Sequence, residues 1–223
     1  MAGLDGVFLQ ALDIILDMFA PCPREKHLAD GVVFVDRLRN FDMKYGVQDA
    51  GDGVVWRSSK NPIFPVPYQN FYYEGLFELF SGKAETEYRK EVTYGTDIAA
   101  IFPLEVGKVL SYQHSFENKK KGLRWEWASQ IEVAAQETVR IGGCAYRAWG
   151  LKDTGSFKRS DGMERTSRRS LTYIPELKYV WTQAIDRPMK FDKVRPMRRW
   201  DGFVIAPPPE HVQAFVAARK GDQ

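Results

Sequence analysis

Hydrophobic and polar positions alternate most regularly between residues 102 and 185. From Leu123 to Val133, apolar side chains occupy most of the alternate positions, and charged or amide side chains stand between them. A period of two is typical of an antiparallel strand with one buried face. Val109 to Phe116 predicts a second strand, and the polar run from Asn118 to Gly122 predicts the turn between the two.

Two further hairpins are predicted in the same region. Thr138 to Ile141 and Cys144 to Leu151 flank a Gly-Gly pair, which is a two-residue hairpin signal. Arg165 to Tyr173 and Lys178 to Ile185 flank a turn that contains a proline. Sequential antiparallel strands form a meander, so we predict a mainly β, lipocalin-like fold that closes into a barrel or curls into a half-barrel.

The chain before residue 102 carries weaker signals for secondary structure. Gly31 to Val35 and Gly53 to Arg57 are short apolar runs that predict strands. Asn61 to Pro67 contains three prolines, which cannot donate hydrogen bonds to a sheet ladder. We therefore predict a rigid, extended loop at this point.

An amphipathic helix is predicted for residues 1–23. Apolar residues at helical spacing extend from Leu4 to Phe19, and Pro21 and Pro23 end the pattern. No Lys or Arg precedes the stretch and three Asp residues interrupt it, which argues against a secretory signal peptide. The stretch is also too polar for a membrane span, and no other segment could form one.

A short helix is predicted for residues 207–223. Pro207 to Pro209 suit the start of a helix, and Gly221 suits its end. With the N-terminal helix, this gives a single β-rich domain over residues 24–206 that is flanked by two helices.

The net charge of +3 is unevenly spread along the chain. Residues 112–223 hold 21 Lys and Arg against 13 Asp and Glu, whereas residues 1–111 are net acidic. The C-terminal half includes a basic run from Arg187 to Arg199, which is followed by Trp200. Alternating bases and aromatics can bind single-stranded nucleic acid. More commonly, such a basic half is a solvated β-surface. The basic run is then a solvated arm or a docking segment for an acidic partner.

Cys22 and Cys144 leave two alternatives open. They could form one disulfide in an exported protein, or they could be one buried and one exposed thiol. They do not form a Cys-x-x-Cys pair and have no His at zinc spacing, so we predict no metal site.

Motifs for catalysis and nucleotide binding are missing from the sequence. It contains no His-Glu-x-x-His, no Gly-x-Ser-x-Gly, no phosphate-binding loop and no Gly-x-Gly-x-x-Gly. We therefore predict no catalytic residue and no cofactor.

Four short motifs in order carry a family resemblance. They are Phe102–Lys108 (FPLEVGK), Glu137–Val139 (ETV), Gly142–Gly143 and Tyr173–Leu177 (YIPEL). The order resembles a broad set of bacterial exported proteins and lipoproteins, including those called TapB-like. The resemblance covers roughly residues 100–185. It implies a β-barrel or half-barrel in the periplasm or cell envelope and no established activity, while the missing signal leaves a cytoplasmic location open.

Candidate ligand-binding residues are those that alternation places on the inner face of the predicted strands. They are His114, Trp125, Trp127, Arg165, Arg169, Tyr173 and Trp181. His114 is either a hydrogen-bonded core histidine or a polar group in a ligand cavity. The two arginines either form a solvated strand face or hold a carboxylate or phosphate by bidentate contacts. The aromatic residues suit core packing or ligand stacking.

Three functional hypotheses follow from these patterns. The favoured one is a non-enzymatic cell-envelope protein that binds a small amphipathic molecule or a protein partner. The second is a hydrolase or isomerase that uses His114 with the arginines of the Arg165 strand. The third is a nucleic-acid-binding protein that uses the basic C-terminal half.

Overall fold

The computed structural model describes residues 22–37, 42–61, 64–83, 89–118, 121–183 and 191–221. Within these ranges the chain forms strands β1 (Val32–Arg37), β2 (Asp42–Gly51), β3 (Val54–Asn61), β4 (Phe64–Tyr73), β5 (Phe77–Lys83), β6 (Arg89–Tyr94), β7 (Val109–Asn118), β8 (Leu123–Ile141), β9 (Cys144–Arg159), β10 (Glu164–Ile174), β11 (Tyr179–Gln183) and β12 (Lys193–Pro196). The helices are α1 (Glu210–Gly221) and four short 3-10 helices at Glu25–His27, Ile98–Ile101, Pro175–Leu177 and Arg199–Asp201. The N-terminal helix predicted for residues 1–23 lies almost entirely outside the described residues.

All of these strands belong to one antiparallel sheet. Strands β1 to β11 pair in sequence order, and β12 returns to pair with β1. The predicted meander is therefore confirmed, but the described strands do not close into a barrel. The two edge strands, β11 and β12, do not pair with each other within the described ranges.

Two predicted elements are wrong in their extent. The predicted loop from Asn61 to Pro67 instead contains the start of β4. Its prolines are tolerated because β5 pairs with β4 only from Tyr68 onward. The two strands predicted between Leu123 and Ile141 form one strand, β8, and a register shift between Val133 and Ala135 marks a bulge.

One face of β3 to β5 is covered by the C-terminal helix. Trp56, Phe71 and Leu79 on the sheet pack against Val212 and Phe215 of α1. Trp56 and Val212 are completely buried. The predicted C-terminal helix is thus confirmed, and its apolar stripe seals the outer side of the sheet.

The opposite face of the sheet curls upon itself. The ring of Phe34 on β1 stacks on Tyr179 of β11, with the ring centroids 4.2 Å apart. Arg57 of β3 donates from Nη2 to the carbonyl oxygen of Val180, at 3.1 Å. These contacts bring the first strands of the sheet face to face with the last ones.

Two tight turns meet beneath this contact. A Cβ atom added to Gly75, which follows β4, would lie 1.8 Å from the carbonyl oxygen of Lys178, which precedes β11. Gly75 also has a φ of +68°, so both the lack of space and the left-handed backbone conformation require glycine at this position. The preceding Glu74 forms a 3.4 Å ion pair with Lys178 and accepts a hydrogen bond from the hydroxyl of Tyr173.

A disulfide joins Cys22 to Cys144, across 122 residues of sequence. It ties the segment before β1 to the first residue of β9, and so decides between the alternatives that the sequence left open. Both cysteines pack in the cluster that also contains Phe34 and Tyr179. The covalent link therefore fixes the same two ends of the sheet that the ring stack brings together.

Part of the basic run is buried instead of forming a solvated arm. Arg195 lies in β12 and is only 4% exposed, and Asp201 is 2% exposed. The guanidinium of Arg195 donates two hydrogen bonds to the Asp201 carboxylate, and Lys44 adds a third at 2.9 Å. Although burial opposes its charge, these partners hold the pKa of Asp201 at about 2. The pair pins β12 against β1 and β2.

Removal of the disulfide is expected to lower the free energy of unfolding by about 3 kcal/mol, because the unfolded chain gains freedom. The test is urea unfolding of the Cys144→Ser variant and of the reduced wild type, with Gly143→Ser in the same turn as a control. Equal urea midpoints for the oxidised and reduced wild type would contradict this role.

Asp201→Asn is expected to destabilise the protein by about 3–5 kcal/mol, because it removes the charged carboxylate that accepts two hydrogen bonds from the buried Arg195. Since the folded pKa of Asp201 is lowered, its contribution is complete above about pH 4 and disappears as pH falls towards 2. Urea unfolding between pH 7 and 2 measures both effects. The exposed Asp30→Asn serves as the control, and a loss equal to the control's would refute the prediction.

Candidate functional site: an aromatic cavity inside the curled sheet

A cavity of about 480 Å³ lies between the two ends of the curled sheet. Residues of β2 to β8, β10 and β11 line it, so both ends of the chain's meander contribute to its wall. A volume of this order suits a small organic ligand. The cavity exists because the sheet curls without bringing its inner faces into full contact.

A row of aromatic rings crosses the wall of the cavity. Tyr94, His114, Trp127 and Phe157 stand directly opposite one another on the adjacent strands β6 to β9. The rings of His114 and Trp127 are nearly parallel, at 5.7 Å and 8°. Period-two alternation on each strand, combined with the register between strands, produces this row. The row offers flat, rigid apolar surface to a bound molecule.

Two of the cations at the cavity are neutralised by carboxylates. Lys90 of β6 forms a 2.7 Å ion pair with Glu78 of β5. Burial opposes the charge of Glu78, but Lys90 holds its pKa below the ordinary value. Arg169 of β10 donates from Nε to Asp153 of β9 at 2.9 Å.

Arg57 is the third cation at the cavity, and its surroundings differ. Its guanidinium lies 4.3 Å from the ring centroid of Tyr72 and 4.2 Å from that of Tyr179. Nη2 is bonded to the carbonyl of Val180, whereas Nη1 is buried and has no hydrogen-bond partner among the described residues. In the described part of the chain, Arg57 also forms no salt bridge. Arg57 is therefore held in place without a direct ion pair in the described ranges, although its charge, after that of Lys90, also helps to lower the pKa of Glu78.

His114 is neutral in this setting. Burial, followed by the positive charges of Lys90 and Arg169, lowers its pKa to about 4. Within the described ranges its Nδ1 and the Nε1 of Trp127 are buried without hydrogen-bond partners. Both side chains line the cavity, and the imidazole there carries no positive charge at neutral pH.

The structure brings together only some of the residues that the sequence singled out. His114, Trp127 and Arg169 line the cavity, with Arg169 already paired to Asp153. Trp125 stacks on Phe116 in the next row, at 4.9 Å.

The remaining candidates do not line this cavity. Arg165 stands opposite Phe157 and lines a second pocket together with His114 and Trp127. Tyr173 is buried in the core and donates to Glu74. Trp181 pairs with Thr172, and its side chain lies outside the described part of the structure. Ligand binding by the seven candidate residues stays a prediction.

Sequence reasoning missed Arg57, Tyr72, Glu78 and Lys90, all of which line the cavity. Three of them lie on β4 to β6, where the sequence predicted no strand. Arg57 closes the apolar run of β3, in which alternation opposes it to Trp56. That alternation was the available signal for an inward-facing arginine.

The described residues contain no cluster of three or more His, Cys, Asp or Glu that could hold a metal ion. Among the same residues, no helix combines the length and apolar character that a membrane span requires.

Comparison with known proteins yields a structural likeness. No family model matches the chain, and no curated protein matches its sequence. The chain is similar to the crystal structure of the hypothetical lipoprotein YmcC from Escherichia coli (K12), with 9% identity and a TM-score of 0.46. The likeness covers 84% of this chain and 97% of that one. The resemblance to TapB-like proteins therefore stays a prediction.

The imidazole of His114 is expected to titrate near pH 4 instead of near 6.5. Because the unfolded chain takes up this proton first, stability should fall as pH drops from about 6.5 to about 4, by about 1–2 kcal/mol for a partly exposed ring. Histidine NMR titration measures the pKa, and the signal lost in His114→Gln identifies the residue. Titration of that signal near pH 6.5 would show that the ring is solvated.

Proposed function

We propose that this protein is a non-enzymatic binding protein that holds a small amphipathic molecule in the cavity of its curled sheet. The observation that carries the proposal is a cavity whose lining combines an aromatic wall with polar side chains, on Arg57, His114 and Trp127, that each have a nitrogen without a hydrogen-bond partner among the described residues. Apolar walls with a few convergent polar groups are typical of ligand sites. In this proposal the open sheet serves as a half-barrel.

The state of His114 favours binding over catalysis. A general base works best with a pKa near the operating pH and usually has a third group that orients it. His114 has a pKa of about 4, and its Nδ1 has no partner among the described residues. The group that the enzyme hypothesis relies on is therefore poorly suited to proton transfer at neutral pH.

The charge of the basic half gives little support to the nucleic-acid hypothesis. Arg169 and Arg195 are engaged by Asp153 and Asp201 within the fold. Phosphate binding depends on cations that are free to neutralise the backbone. The arginines that the sequence made conspicuous partly serve the protein's own structure.

We further propose a periplasmic or cell-envelope location. The support is the disulfide between Cys22 and Cys144, since stable disulfides form mainly in oxidising compartments and are rare in the cytosol. A ligand carrier or sensor in such a compartment would meet amphipathic molecules released from or moving to the membrane.

The proposed function is tested by titration with the neutral fluorescent probe N-phenylnaphthylamine. Saturable binding of one probe per chain is expected for the wild type. Ser59, which lines the cavity, is replaced in Ser59→Phe to fill it, and binding should weaken at least about tenfold.

The matched control is Ser170→Phe, at an exposed position of β10 outside the cavity, which should bind the probe like the wild type. Circular dichroism confirms that both variants are folded. Failure of the wild type to bind the probe, or equal binding by folded Ser59→Phe, would overturn the proposal.

A further inference from the structure

Charge pairing around the cavity is incomplete by one cation. The three cationic side chains that line it among the described residues are Arg57, Lys90 and Arg169. Lys90 is paired with Glu78, and Arg169 with Asp153. The excess charge of the cavity therefore resides on Arg57.

The guanidinium of Arg57 is fixed in a single position. The rings of Tyr72 and Tyr179 lie near it at 4.3 and 4.2 Å, and the Val180 carbonyl holds Nη2 at 3.1 Å. A fixed cation loses little conformational entropy when it binds an anion. Its remaining nitrogen, Nη1, is buried without a protein acceptor in the described ranges, which is costly unless a ligand oxygen supplies one.

We infer that Arg57 is the receptor for the carboxylate of a ligand whose body is flat and apolar. The inference rests on the proposed function, because it assumes that the cavity binds a small amphipathic molecule. It assigns the charged end of that molecule to Arg57, which replaces the sequence-based candidates Arg165 and Arg169.

A singly charged ligand fits the electrostatics better than a doubly charged one. One excess cation neutralises one carboxylate, whereas a phosphate monoester would bring a second negative charge into a site that already holds Glu78. Glu78 and Asp153 keep the other two cations occupied. The balance of charges in the cavity therefore favours a ligand with a single negative charge.

The body of the ligand is assigned to the aromatic wall. Tyr112 and His114 are nearly parallel, at 19°, and His114 and Trp127 are parallel within 8°. Such rings favour planar partners that stack or pack edge to face. The ligand class is thus a carboxylate on an aromatic or similarly flat apolar body.

Calorimetry with three probes of the same body tests the inference: naphthylacetate, naphthylacetamide and naphthyl phosphate. The wild type is expected to bind the carboxylate about 10- to 100-fold more tightly than the amide, as befits hydrogen bonds to a charged group. It should also bind the carboxylate more tightly than the phosphate. Equal affinity for carboxylate and amide, or tighter binding of the phosphate, would overturn the inference.

Variants of Arg57 then identify the receptor. Arg57→Gln should remove the preference for carboxylate over amide. Arg57→Lys keeps the charge if Arg57→Gln fails to fold, and it should retain part of the preference. The control Arg168→Gln, on the exposed outer face of β10, should leave all affinities unchanged. A full preference in folded Arg57→Gln would rule out Arg57 as the receptor.

The failure of this inference is distinguishable from the failure of the proposed function. A protein that binds N-phenylnaphthylamine but does not prefer naphthylacetate would retain its proposed function and lose only the carboxylate assignment. A protein that binds none of the probes would lose both.

Discussion

The contact between the two ends of the sheet determines the rest of this structure. The twelve described strands form one sheet, and the one described α-helix covers part of one of its faces. The other face is buried because β1 to β3 fold over β9 to β11, through Phe34 against Tyr179 and Arg57 against the Val180 carbonyl. The cavity is what remains where the two ends cannot meet.

The same contact joins stability to binding in Arg57. This side chain holds the sheet curled through Nη2, and in the proposed site its guanidinium also receives the ligand. An arginine is suited to both tasks because its donors lie in one rigid plane and its faces pack on aromatic rings. Lysine, with a single flexible ammonium, could not stack on Tyr72 and Tyr179 and keep a donor free in a fixed direction.

How much the sequence reveals depends on how local each interaction is. The hairpins of β7 to β10 were predictable because alternation around Trp125 and Trp127 is a short-range signal. The start of β4 was missed because its prolines suggested a loop, and only the partial pairing with β5 makes them acceptable. The open edge at β12 was also missed, because its pairing with β1 joins residues more than 150 positions apart.

The site was harder to predict than the fold for the same reason. Alternation correctly placed Arg169 on the inner face, but its pairing with Asp153 requires the register of β9 and β10. Arg57 gains its role from Tyr72 and Tyr179, which lie on other strands and far along the chain. For Cys22 and Cys144, the sequence left a disulfide as one of two alternatives, and only the meeting of the ends of the sheet decides between them.

The close contact between Gly75 and Lys178 couples two hairpin turns that are far apart in the sequence. A longer turn, or a side chain at position 75, would displace the opposite turn, because Gly75 lies against the carbonyl of Lys178. A change in one turn therefore constrains the other. Among descendants of this chain, the β4–β5 and β10–β11 turns should therefore vary in concert. Substitution is less constrained at outward-facing positions such as Gly143, where no described atom lies within 4 Å of an added Cβ.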